Sequence, residues 1–114
     1  INDNVEQALQ PIKQNLALYV GGMGAKSRNF HNELIKRMGF EEAAETVQDL
    51  FLSGKKDEAV AAVPTELADE ISLVGSIDRI KDRLQAWRET PVTSLLVSTR
   101  NVDQLRTFAE VVLG

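Results

Sequence analysis

The sequence contains no cysteine, which leaves neither a disulfide framework nor a thiolate metal site open to it. Histidine occurs once, at His31, with no second Cys or His nearby to complete a metal-ligand cluster. Positive charge is not in excess: 13 Lys and Arg face 17 Asp and Glu, for a net charge of -4. That balance argues against a nucleic-acid surface, which needs a basic patch. No apolar run approaches the roughly 20 residues of a membrane span. No signal peptide is visible, and together with the lack of cysteine this fits a cytoplasmic protein. There is no internal repeat, no low-complexity tract and no linker rich in Gly, Ser or Pro.

What the chain has is a folded composition and strong helical patterning. Hydrophobic residues make up 43% and charged residues 26% of 114 positions, as in a globular domain. Val5, Leu9, Ile12, Leu16 and Tyr19 fall on one face of a helix over 2–20, with Asn2 or Asp3 as its cap and Pro11 as a kink. The run Gly21-Gly22-Met23-Gly24 predicts a C-terminal stop. Ser27 or Asn29 can cap a second helix carrying Phe30, Leu34, Ile35 and Met38, which Gly39 ends. A third helix over 40–53 turns Ala43, Ala44, Val47, Leu50 and Phe51 inward and stops at Gly54. A fourth runs over 56–63 to Pro64, and Thr65 can cap a brief turn over 66–69.

The remaining stretch, 71–114, reads as strand, helix, strand, helix. Ser76 caps a helix whose Ile77, Ile80, Leu84 and Trp87 form one stripe, and Thr90 and Pro91 stop it. Ser94-Leu95-Leu96-Val97-Ser98 is a short apolar run of the kind found in covered strands. Two strands joined by a helix are parallel. The last helix, over 102–113, presents Val102, Leu105, Phe108, Ala109 and Val112. The expected class is therefore α/β but mostly helical, with two short parallel strands and five or six helices. So few strands suggest the closing segment of a larger sheet or barrel. The chain divides into a helical segment, 1–70, and a βαβα unit, 71–114, of a single incomplete domain. We read it as a piece of a longer protein.

Several stretches carry a resemblance. Ala17-Leu18-Tyr19-Val20-Gly21-Gly22-Met23-Gly24 with Asn29-Phe30-His31-Asn32, Val47-Gln48-Asp49-Leu50-Phe51-Leu52-Ser53-Gly54-Lys55-Lys56, Ala61-Ala62-Val63-Pro64 and Leu73-Val74-Gly75-Ser76 are similar to segments of luciferase-like flavin or deazaflavin oxidoreductases and monooxygenases. The branch most alike is that of coenzyme F-420-dependent oxidoreductases, relatives of methylene-tetrahydromethanopterin reductase. The resemblance runs over essentially all 114 residues. It implies a (β/α)8 TIM barrel of which this chain is the C-terminal fragment, with roughly the first two thirds of a typical barrel outside it. It also implies hydride transfer between coenzyme F-420, or alternatively FMN, and an organic substrate. The cofactor carries that reactivity and the protein positions it.

On this reading the whole protein is an enzyme, whereas the fragment alone is inactive and binds neither coenzyme. No residue here can be assigned a catalytic role. Gly21, Gly22, Met23 and Gly24 are candidate cofactor-binding residues, because bare amides can cradle a phosphate with Lys26 and Arg28 nearby. The alternative is a turn that needs glycine for its backbone freedom. Arg100 can meet an anionic cofactor tail or simply be a loop arginine. His31 can donate to a ligand or pack against Phe30. Glu41, Glu42, Glu45 and Asp49 read as a solvated helix face, and Trp87 as core. No nucleic-acid, membrane or metal partner is expected. Unpaired edges at the two strands, with Leu73, Val74, Leu95, Leu96 and Val97 beside them, lead us to expect a homo-oligomer. A non-catalytic helical interaction module is the rival class.

Overall fold

In the computed structural model, which describes residues 1–99 and 101–114, amphipathic sequence becomes helix nearly throughout. The elements are α1 (Val5–Leu16), a π-helix (Ala17–Gly22), α2 (Phe30–Arg37), α3 (Glu41–Leu52), α4 (Lys56–Ala62), α5 (Thr65–Glu70), α6 (Ile77–Arg88) and α7 (Val102–Leu113). They fall into two units: 9–72, and 1–8 with 73–114.

The first unit is built on α3. Its inward residues Ala44 and Val47 are buried, and they meet the π-helix, α2 and α4. Leu9, Ala17, Val20, Ile35, Ala59, Val63, Leu67 and Ala68 complete the core. Residues three and four apart share a helix face, so each helix contributes one stripe. α1 runs through Pro11 without a break and passes directly into the π-helix. The helix ends within the glycine run as expected, at Gly22 with Met23 as C-cap, although neither Gly21 nor Gly22 is among the glycines of positive φ. Gly39 and Gly54 do act as stops, at φ +96° and +82°, backbone that glycine adopts without a Cβ penalty. α5, expected only as a turn, is a helix, and Lys13 Nζ donates to Thr65 Oγ1 at 2.9 Å.

In the second unit, Asn4 rather than Asn2 or Asp3 caps α1, its Oδ1 accepting from Gln7 N at 3.0 Å. Ser76 caps α6 as expected, through Arg79 N to Ser76 Oγ at 3.2 Å. Asn101 caps α7 through the amides of Asp103 and Gln104. Ile80, Leu84 and Val111 are buried, and Arg88 NH2 donates to Val112 O at 3.0 Å. Trp87 is half-buried, at the edge of its stripe.

The two parallel strands are a correction. Among the described residues there is no strand, so the α/β expectation gives way to an all-helical chain. The physical reason is the lack of partners, because a strand is stable only when its backbone groups pair laterally. Around 73–75 those groups are used otherwise: Val74 O accepts from Arg79 NH1 at 2.6 Å, and Gly75 O accepts from Asn2 N at 2.9 Å. Gly75 itself has φ +115°. Residues 92–99 carry no regular structure, and Leu96 is fully exposed at 101%. The face of α7 is also less covered than its pattern suggests: Val102, Leu105 and Val112 are exposed, and Val111 is the buried residue.

Candidate functional site

The glycine run sits where a widened helix ends. A π-helix bonds i to i+5, and such turns recur at functional sites. Its end leaves carbonyls unpaired, which need donors when buried. Two asparagines supply them. Asn29 Nδ2 donates to Tyr19 O at 3.1 Å and to Val20 O at 3.0 Å. Asn32 Nδ2 donates to Val20 O at 3.1 Å and to Ala44 O at 2.8 Å. Asn29 Oδ1 also caps α2 by accepting from Asn32 N at 3.0 Å. Both side chains are buried, so the π-helix, α2 and α3 are joined through amides that cannot exchange their partners for water.

This polar lock was not singled out from the sequence. Its signal was present as Asn29 and Asn32, one helical turn apart just after the glycine run.

The glycines themselves divide into two kinds. A Cβ at Gly21 would lie 2.6 Å from Phe51 Cβ, and one at Gly22 would enter the Phe51 ring. These two are required by the close approach of α3. Gly21 is buried and Gly22 half-buried, whereas Met23 and Gly24 are exposed. At Gly24 a Cβ would come within 2.5 Å of Arg28 O. Beyond it, Arg28 N donates to Ala25 O at 2.9 Å, and Lys26 Nζ meets Asp49 Oδ1 at 2.6 Å. That carboxylate raises the Lys26 pKa above its ordinary value, first through the hydrogen bond and then through its charge. Glu45 pairs with Lys36 at 3.4 Å, and Glu41, Glu42, Glu45 and Asp49 all stay solvated. Arg100 lies outside the described residues.

His31 stands beside Tyr19, with ring centroids 4.9 Å apart in an edge-to-face contact, and beside Phe30 at 5.7 Å. Tyr19 and His31 line a groove of about 380 Å³ with Ile12, Leu34, Met38 and Ile71. Asn15 and Ser72 add polar groups to this lining, which contains no Asp, Glu, Lys or Arg. The space a Cβ would take at Gly21 and Gly22 is occupied by Phe51. Among the described residues, Gln48 Nε2 is buried with no hydrogen-bond partner. Among the described residues, no group of His, Asp and Glu could hold a metal, and no helix is long and apolar enough to cross a membrane.

Residues 1–94 match the luciferase-like monooxygenase family model. The chain belongs to that family. One similar relative within reach of this luciferase-like chain is a protein of Mycobacterium tuberculosis (strain ATCC 25618 / H37Rv), which bears the provisional name of a coenzyme F-420-dependent oxidoreductase. The two are 40% identical over 112 residues, covering 98% of this chain and 32% of the relative. The luciferase-like chain thus spans about a third of the length of the curated relative it matches. No solved structure gives a significant match.

Proposed function

We propose that this chain is the C-terminal part of a longer oxidoreductase that transfers a hydride between coenzyme F-420 and an organic substrate. The observation that carries the reading is the 40% identity over nearly the whole chain to a relative named for dependence on that coenzyme. The coenzyme, when bound, supplies the hydride chemistry. No step of the reaction is assigned to this chain's residues. Met23 and Gly24, exposed at the end of the π-helix, are the members of the glycine run through which the chain would touch a ligand. Gly21 and Gly22 serve the packing against Phe51. Family membership favours this reading over a non-catalytic helical module.

The test uses the longer polypeptide encoded in the same reading frame. Titrated with coenzyme F-420 and separately with FMN, it is expected to bind the deazaflavin preferentially and to reduce or oxidise it with a cognate organic substrate. The 114-residue chain alone is expected to bind neither at micromolar concentration. Preferential FMN binding by the longer polypeptide would overturn the coenzyme assignment, and absence of any redox turnover would overturn the reaction.

A further inference from the structure

The groove beside Tyr19 and His31 continues into an apolar ridge. Phe30 and Leu34 in α2 and Met38 at its C-cap recur every four residues, and they are 71%, 39% and 40% exposed. Ridges spaced by four residues are the surface into which a second helix packs. Leu34 and Met38 line the groove together with Ile12, Leu16 and Tyr19. The cleft, of about 380 Å³, is lined mainly by apolar side chains, with Asn15, Tyr19, His31 and Ser72 as its polar groups, and so suits a largely apolar helix face. The relative's match leaves 68% of its own length outside the region shared with this chain (100 minus 32). That is polypeptide enough to supply the cover.

We infer that this groove seats an apolar helix face belonging to the same polypeptide, outside the 114 residues. The inference rests on the reading of the chain as part of a longer oxidoreductase. It adds where the rest of that protein docks: on α2 and the end of α1, with Leu34 and Met38 as the contact. Docking there would bury the Tyr19–His31 pair and hold the segment carrying Met23 and Gly24 against the remainder of the protein.

The chain has no cysteine, so a single one can be introduced as a reporter. Leu34→Cys and, separately, Met38→Cys are labelled with a maleimide in the 114-residue chain and in the longer polypeptide. The modified peptide is followed by mass spectrometry. Glu42→Cys, on the exposed face of α3, serves as the control. Labelling at 34 and 38 is expected to be at least about tenfold slower in the longer polypeptide, since reaction then waits for local opening. Labelling at 42 is expected to be equal in both. Equal rates at 34 and 38 would overturn the inference even if the longer polypeptide turns over coenzyme F-420. Protection that grows with concentration in the 114-residue chain would instead assign the groove to a second copy and also overturn it. Protection in a longer polypeptide that shows no hydride transfer would leave the docking intact and remove the proposed reaction.

Discussion

The side-chain amide of Asn32 donates to Val20 O at 3.1 Å and thereby fastens α2 to the end of the π-helix. The same amide reaches Ala44 O in α3 at 2.8 Å, so one buried residue holds three elements. Asn32→Leu keeps the volume and removes both bonds, while Val20 O keeps its bond from Asn29 Nδ2. We expect a loss of about 1–3 kcal/mol, from the two hydrogen bonds. Urea unfolding followed by far-UV circular dichroism measures it. A loss below about 0.5 kcal/mol would show that the lock is not needed.

Gly21 and Gly22 should respond differently to a rescue at Phe51. Gly22→Ala collides with the aromatic ring, whereas Gly21→Ala collides with Phe51 Cβ at 2.6 Å and comes within 3.2 Å of Val47 O. Each single change should cost about 1–3 kcal/mol by overpacking. Adding Phe51→Ala removes the ring but not the Cβ or the backbone oxygen. The double variant Gly22→Ala/Phe51→Ala should therefore show favourable coupling, and Gly21→Ala/Phe51→Ala should show little. Equal coupling in the two cycles would contradict the packing described.

Ser76 caps α6 by accepting from Arg79 N. Ser76→Ala is expected to cost about 1 kcal/mol and Ser76→Gly a few tenths. Thermal or urea unfolding of both variants decides the matter, and an equal loss in both would remove the cap from the account.

The Lys26–Asp49 pair links stability to alkaline pH. The folded-state pKa of Lys26 is raised above 10.5 by Asp49. A raised lysine contributes stability that is fully present below its unfolded pKa and is lost as pH rises through the folded value. Both side chains are exposed, so the contribution is small and sensitive to salt. An NMR titration above pH 10 should find Lys26 titrating later than in Asp49→Asn. Identical titration in the two proteins would rule the pair out in solution.

Leu95, Leu96 and Val97 are exposed together in the irregular stretch before α7. Covering such side chains is worth roughly 1.5–3 kcal/mol each. The isolated 114-residue chain is therefore expected to associate with itself, and Leu96→Lys to weaken that association. Sedimentation equilibrium over a wide concentration range provides the measurement. A monomer at every concentration would end this expectation.

Family and helix positions were both legible in the sequence, because each depends on local order along the chain. The stripe of Ile80 and Leu84, the stops at Gly39 and Gly54 and the caps at Asn29 and Ser76 all follow from spacing within a few residues. The glycine run with Asn29-Phe30-His31-Asn32 was enough to point to luciferase-like oxidoreductases, where residues 1–94 indeed belong. Tertiary structure decided what local pattern cannot carry. Whether 71–75 and 94–98 become strands depends on lateral partners that no residue can supply to itself, and within these 114 residues Arg79 and Asn2 take the carbonyls of Val74 and Gly75 instead. That Gly21 and Gly22 also admit Phe51 depends on α3, some thirty positions away in the chain: the helix ends at Gly22 as the run implied, but the close approach of a side chain to both glycines is not legible from local pattern.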